Sequence, residues 1–252
     1  MDSLTHMVVG AALGVRLLNK KIGRWGALIG AFLNTFPDFD LLYSGLSDPR
    51  KYILYHRAHS HSLFFQLIYG FLIAAFFWWL VKKVRDKKNS TINAHNKLLK
   101  HRLALDPNSG GTKKNLLASI PFVQWLLFVL VCILSHSLMD MCTDYGTRWL
   151  LPFSEKVISL NTIAIADLTL TIPILLLVII GISCKNNSIA RNSFMNTAMI
   201  YTLVFFAFTF LNKASVDKVF KASLASQNIS SYVKHSLKSV SITNIIFILF
   251  ST

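Results

Sequence analysis

The fold is decided by residues 136–154, which have the sequence HSLMDMCTDYGTRWLLPFS. They follow an apolar run at residues 116–135 that is long enough to cross a bilayer as a helix. His136 and Asp140 are four residues apart, so on a helix they share one face about one turn apart. An imidazole and a carboxylate in this arrangement can bind one divalent metal ion. The pattern predicts a metal site where a membrane helix meets water; the alternative is a helix end with both side chains in solvent.

The composition is that of a membrane protein. Of the 252 residues, 53% are hydrophobic and only 15% are charged, and the mean hydropathy is +0.50. A soluble domain of this size would interrupt its apolar runs more often with polar residues. The net charge of the chain is +15, and in a membrane protein such an excess of basic residues usually lies in cytoplasmic loops and does not indicate nucleic-acid binding. The three cysteines are scattered and form neither a disulfide framework nor a cysteine-based zinc motif.

Four apolar runs are long enough to cross the membrane: residues 63–81, 116–135, 163–184 and 194–211. Two shorter runs, residues 7–18 and 25–36, precede them and form either a packed hairpin that also crosses or re-entrant helices. In the first of these, Gly10 and Gly14 are four residues apart, a spacing that permits close helix packing. The chain is therefore predicted to be an all-α, polytopic membrane bundle with four to six transmembrane helices, formed by residues 1–211.

A basic segment at residues 82–114 carries ten Lys or Arg residues. Pro107 and the pair Gly110-Gly111 are helix breakers, so the segment is predicted to be a loop, and its charge places it in the cytoplasm near anionic lipid. No aromatic residue is interleaved with these charges, which argues against nucleic-acid binding. Residues 212–252 are predicted to be a polar C-terminal tail.

With the basic segment in the cytoplasm, the topology collects histidine and aspartate residues on the opposite, outer side of the membrane. Ionisable residues at membrane depth are unfavourable and point to a function. A set of His and Asp side chains is a ligand set for zinc, or for a similar divalent ion such as manganese, and this set is large enough for two or three ions. The candidate ligands are His6, Asp38, Asp40, His56, His61, His136, Asp140 and Asp167.

Four motifs carry a resemblance to a known family: MDSLTHMVVG at residues 1–10, PDFD at 37–40, HRAHSHS at 56–62 and HSLMDMCTDYGT at 136–147. Together they resemble the YdjM-like, membrane-bound metal-dependent hydrolases, bacterial inner-membrane proteins of which some are under SOS-repressor control. The resemblance covers most of residues 1–185 and implies that the candidates named above are metal ligands, with Asp40 either a ligand or a hydrogen-bond partner of one. Ala58 and Ser60 replace the family's usual glycine and threonine, and Leu168 replaces a proline.

The resemblance also implies a distant likeness to the all-helical zinc phospholipases C and single-strand-specific zinc nucleases. It implies an inner-membrane hydrolase of a phosphoester or lipid-linked substrate, with its metal site toward the outer face. The ion would activate water, Asp140 or Asp38 would take the proton, and Arg57 would hold a phosphate or carboxylate. Two alternatives stay open: a divalent-metal transporter that uses the same residues, and a membrane scaffold in which they no longer bind metal.

Overall fold

The computed structural model describes residues 1–40, 57–105, 120–186 and 188–226. Within these ranges the regular structure is helical, and the β-type pairing is limited to two isolated bridges. The six α-helices are α1 (Ser3–Ile22), α2 (Trp25–Thr35), α3 (Leu63–Leu105), α4 (Phe122–Met141), α5 (Leu168–Ser183) and α6 (Ile189–Ser226). Short 3-10 helices at Phe36–Phe39 and His59–His61 follow α2 and precede α3. The prediction of an all-α membrane bundle is confirmed.

Among the described residues, three helices are long and apolar enough to cross a membrane, and they lie in α3, α4 and α6. Two shorter apolar segments are Ser3–Leu18 in α1 and Leu168–Ser183, which is α5. The span predicted at residues 116–135 is helical from Phe122, directly after Pro121, and continues to Met141. A proline is unfavourable inside a helix but is tolerated where one begins. Because α4 continues to Met141, His136 and Asp140 lie on its last two turns, beyond the end of the predicted span at residue 135.

Helices α1 and α2 form a hairpin whose backbones touch. A Cβ atom on Gly14 would overlap the carbonyl oxygen of Gly26, and one on Gly30 would overlap the carbonyl oxygen of Gly10. Gly23, with φ +60°, makes the turn between the two helices. The close packing predicted from the spacing of Gly10 and Gly14 is confirmed. Because the hairpin is this tight, the end of α2 is held beside the beginning of α1.

The prediction that residues 82–114 form a loop is wrong for residues 82–105, which continue α3 as far as Leu105. That part of the segment contains no glycine or proline and is rich in lysine, arginine, leucine and alanine, which favour helix even when the surface is polar. Pro107 and the glycine pair lie outside the described residues. Helix α6 likewise continues through residues 212–226, the first part of the predicted polar tail.

One end of the bundle collects the beginnings of α1, α3 and α5 and the ends of α2 and α4. The loop between α4 and α5 covers this end, since the amide of Leu63 donates to the carbonyl of Trp149 and the amide of Asp2 donates to that of Ile165. Helix α6 arrives at the same end, where the Tyr201 hydroxyl donates to the carbonyl of Thr169 at 2.6 Å. Helix α3 therefore extends away from this end and α6 extends past it.

Candidate metal centre

Four buried side chains from three parts of the chain meet at this end of the bundle. Asp38 lies on the 3-10 helix after α2, His61 lies on the 3-10 helix before α3, and His136 and Asp140 lie one turn apart on α4. The residues are between 0% and 6% exposed. Each offers one nitrogen or oxygen atom, and these four atoms lie within 4.8 Å of one another. The cluster can hold a metal ion.

The spacing of the donor atoms fits a small divalent ion. His61 Nε2 lies 2.9 Å from His136 Nε2, 3.2 Å from Asp140 Oδ2 and 3.6 Å from Asp38 Oδ1. His136 Nε2 lies 3.4 Å from Asp38 Oδ1 and 3.6 Å from Asp140 Oδ2. Nitrogen and oxygen ligands at about 2.1 Å from a tetrahedral ion would be separated from each other by about 3.4 Å. The measured separations bracket that value.

The tautomer of His136 is set by the backbone of α2. Its Nδ1 lies 2.5 Å from the carbonyl oxygen of Asn34, so Nδ1 carries the proton and donates it there. The lone pair of Nε2 then points into the cluster, as a metal ligand requires. The Asn34 side chain is itself buried and donates from Nδ2 to the carbonyl of His6 at 2.6 Å. Asn34 therefore joins α1, α2 and α4 directly behind the centre.

His61 is held from behind by Ser60 and Asp40. The Ser60 hydroxyl lies 2.9 Å from His61 Nδ1 and donates to Asp40 Oδ2 at 2.6 Å. Asp40 Oδ2 is 3.8 Å from His61 Nδ1, so the carboxylate supports the histidine without being one of the four donors. The same oxygen accepts a hydrogen bond from the amide of Arg57 at 3.0 Å. Of the two roles expected for Asp40, the geometry favours the hydrogen-bond partner of a ligand.

His6 and Arg57 contact the centre through Asp140. His6 Nε2 lies 3.1 Å from Asp140 Oδ1, and its ring centroid is 3.8 Å from that of His136. Arg57 Nε lies 3.1 Å from Asp140 Oδ2, and its Nη1 donates to the hydroxyl of Thr143 at 3.1 Å. Arg57 is buried and has φ +57°, a backbone conformation that costs free energy in a residue other than glycine. The amino group of the first residue also contacts Asp140 Oδ1.

Residues 1–215 match the family model described as YdjM inner membrane protein. The chain belongs to the YdjM inner membrane protein family. The matched range covers α1 to α5 and most of α6 and contains every candidate ligand, so the resemblance of the motifs to the YdjM family is confirmed. Family membership and the three apolar helices together place the protein in the inner membrane. No curated protein matches the chain, and no solved structure matches it.

Of the eight predicted ligands of this YdjM-family member, the described residues include three that are not among the four donors: His6 and Asp40, whose contacts are given above, and Asp167. His56 lies outside the described residues. Asp167 caps α5, because its carboxylate accepts hydrogen bonds from the amide of Thr169 at 3.0 Å and from the hydroxyl of the same residue at 2.5 Å. The apolar run around Asp167 thus begins its helix only at Leu168. Capping accounts for a carboxylate at that position without a metal.

The cluster changes the acidity of its two residues that lie outside the membrane helices. Burial opposes the charged form of Asp38, but the interaction of its carboxylate with the imidazoles of His136 and His61 outweighs burial and lowers the pKa of Asp38 well below its usual value. Burial would also lower the pKa of His61, yet hydrogen bonds to Asp140 and Asp38, with their negative charge, raise it. A carboxylate that stays ionised at Asp38 attracts a cation.

Sequence reasoning missed Asn34 and Gln66. Both are fully buried, and the Gln66 side chain donates to the carbonyl of Ser60 at 3.2 Å and contacts the hydroxyl of Ser137. These bonds fix the turn that carries His61 against α4. The signal in each case is a polar amide within an apolar run, which at membrane depth is unfavourable unless it is paired.

Proposed function

We propose that this YdjM-family member is a metal-dependent hydrolase that cleaves a phosphoester in a lipid-linked substrate. The observation that carries the proposal is the set of four buried donor atoms whose separations fit one small divalent ion. Two imidazole nitrogens and two carboxylate oxygens are a donor set for zinc and, with more water, for manganese. A catalytic ion needs a position for water or substrate, so three of the four donors would bind it and the carboxylate of Asp38 or Asp140 would be left to accept the proton of that water.

The side chains around the centre have distinct parts in the proposed reaction. A bound divalent ion supplies positive charge that acidifies water and stabilises a leaving oxygen. The carboxylates of Asp38 and Asp140 are the groups that can accept the proton of that water. The Arg57 guanidinium, held at the centre by Asp140 and lying 5.1 Å from the centroid of the Tyr145 ring, is the donor for a substrate phosphate. Its fixed backbone conformation keeps it oriented before substrate binds.

An apolar cavity beside the centre supports a lipid-linked substrate. The cavity has a volume of about 370 Å³ and lies between α1, α4 and α6, with Val9, Leu13, Met139, Cys142, Leu203 and Phe206 among its lining residues. Met139 directly precedes Asp140 in α4. Two of the three helices are long and apolar enough to cross the membrane, which supports a lipid chain as the occupant of this cavity. A substrate with its phosphate at the centre can place a hydrocarbon chain here.

Elemental analysis of the detergent-purified protein tests the proposal first. The unmodified chain should contain stoichiometric zinc or manganese, and the variant carrying His136→Ala with Asp140→Ala should contain none. The matched control carries His95→Ala with Asp86→Ala, two exposed residues on the extension of α3, and should retain the metal. Absence of metal from the unmodified protein after reconstitution with either ion would refute the hydrolase and the transporter together and leave the scaffold.

Release of phosphate-containing product from phospholipid vesicles then tests the reaction. The unmodified protein should cleave phospholipid, and Arg57→Lys should lower the rate without loss of metal, because lysine cannot match the guanidinium geometry. A protein that binds metal, hydrolyses no phosphoester and carries the ion across sealed vesicles would be the transporter. One observation argues against the transporter: the donors lie at helix ends and in 3-10 turns, not in the middle of spanning helices.

A further inference from the structure

A second unusual polar group lies at the end of the bundle opposite the metal centre. Arg191, in the first turn of α6, is fully buried. Its Nη1 contacts the side-chain oxygen of Asn186, in the turn between α5 and α6. Its Nε and Nη2 have no hydrogen-bond partner among the described residues. A buried guanidinium with unpaired N–H groups is strongly unfavourable, so these groups favour the binding of a hydrogen-bond acceptor.

The described part of the chain supplies no negative charge to Arg191. The sequence has eleven acidic residues, and two of them, Asp48 and Asp106, lie outside the described ranges. None of the other nine forms an ion pair with Arg191. The charged neighbour that acts on it is Arg24, which repels it. Two positive charges therefore act on each other at this end of the bundle, and an anion held by the unpaired N–H groups of Arg191 would reduce the repulsion between them.

The two turns at this end of the bundle form one surface. Gly23 ends α1 with φ +60°, and a Cβ atom there would lie 3.4 Å from the side-chain nitrogen of Asn186. The turn between α1 and α2 thus lies directly against the residue that holds Arg191. Arg24, the next residue, is exposed and directly precedes α2. The anion site is bounded by Arg24, Asn186 and Arg191, where the helices meet the membrane surface.

We propose that this site binds the phosphate of an anionic phospholipid in the leaflet opposite the metal centre. The basic residues of the chain are concentrated on this side, which the positive-inside rule assigns to the cytoplasm. The cytoplasmic leaflet carries anionic lipids, and basic pockets between membrane helices bind their headgroups. Arginine matches a phosphate with two parallel N–H groups, and Nε with Nη2 is one such pair. The site is independent of the proposed hydrolase activity.

Lipid titration of the purified full-length protein in detergent tests this site. The probes are phosphatidylglycerol, phosphatidylcholine with the same chains, and inorganic phosphate, and the readout is the midpoint of thermal unfolding. Phosphatidylglycerol should raise the midpoint more than phosphatidylcholine does. Arg191→Gln should weaken the phosphatidylglycerol effect about tenfold in concentration or more, since it removes charge-assisted hydrogen bonds. Arg24→Gln, a change at an exposed residue that leaves the core intact, should weaken it in the same direction.

The matched control is Arg16→Gln, which removes the same charge from an exposed residue of α1 that pairs with Asn196. That variant should respond to phosphatidylglycerol as the unmodified protein does. Equal responses to the two lipids, or an equal loss in the control and in Arg24→Gln, would overturn the proposal. A full response to inorganic phosphate alone, with nothing added by phosphatidylglycerol, would overturn the lipid assignment in favour of a free anion.

Discussion

Replacing Asp40 with asparagine removes a negative charge from behind His61 without removing any of the four donor atoms. The Asp40 carboxylate accepts the Ser60 hydroxyl at 2.6 Å, and that hydroxyl lies 2.9 Å from His61 Nδ1. The 2.6 Å separation is in the range of a charge-assisted hydrogen bond. In the Asp40→Asn variant the bond becomes neutral, so His61 loses part of the support that orients its ring and makes Nε2 a stronger ligand.

The magnitude follows from the strengths of the two kinds of hydrogen bond. A bond to a charged group contributes about 1.5–3 kcal/mol and a neutral one about half of that, so the change is about 1–1.5 kcal/mol. Since about 1.4 kcal/mol corresponds to a tenfold change in a binding constant, Asp40→Asn should weaken zinc binding about tenfold. Competition against a chromophoric chelator in detergent measures the dissociation constant. Asp86→Asn, the same substitution on the exposed extension of α3, is the control.

A second variant shows whether the effect passes through the hydroxyl. Ser60→Ala removes the connection between Asp40 and His61, so Asp40→Asn should add little in that background, as expected for residues of one hydrogen-bond chain. A dissociation constant of Asp40→Asn within about twofold of the unmodified protein would refute the reasoning, because it is well below the tenfold effect expected. So would a full tenfold loss that persists when Ser60 is alanine.

Three further outcomes are expected. Zinc affinity should rise with pH as His61 loses its proton. Because the carboxylates raise the pKa of His61, calorimetric titration should show this rise continuing above pH 6.5, the usual pKa of histidine, and a flat profile would contradict the expectation. Gly14→Leu should destabilise the hairpin by about 1–3 kcal/mol or more in thermal unfolding, whereas Ala207→Leu, on an exposed face of α6, should not. Asp167→Ala should cost about 1 kcal/mol as a lost cap and leave the metal content unchanged; loss of metal would restore it as a ligand.

The fold class can be predicted from the sequence because it follows from the lengths of the apolar runs and from the charge balance, and neither depends on contacts between distant residues. The sequence also predicts that His61, His136, Asp38 and Asp140 belong together, since the motifs place them at the ends of helices that face one side of the membrane. The structure brings these four together. The reason is visible in the glycines of the α1–α2 hairpin, whose close contact brings the end of α2 to the last turns of α4.

What could not be predicted depends on contacts between distant parts of the chain. The hydroxyl of Ser60 holds Asp40 behind a ligand. The backbone carbonyl of Asn34 sets the tautomer of His136, and a backbone carbonyl is present in every residue, so the sequence does not reveal this contact. Pro107 and the charge of the basic segment predict a loop, although residues 82–105 contain neither glycine nor proline and are helical. Charge alone decides where a segment lies, not whether it is helical.

The helical extensions make the two sides of the molecule easy to tell apart by experiment. Residues 82–105 add about 35 Å to α3 on the side away from the metal centre, and residues 212–226 add about 20 Å to α6 on the other. A protease or an antibody that cannot cross the membrane would reach only one of these two helical extensions. Epitopes inserted into each, in intact and in inverted vesicles, would therefore report the sidedness of the metal centre without any knowledge of its substrate.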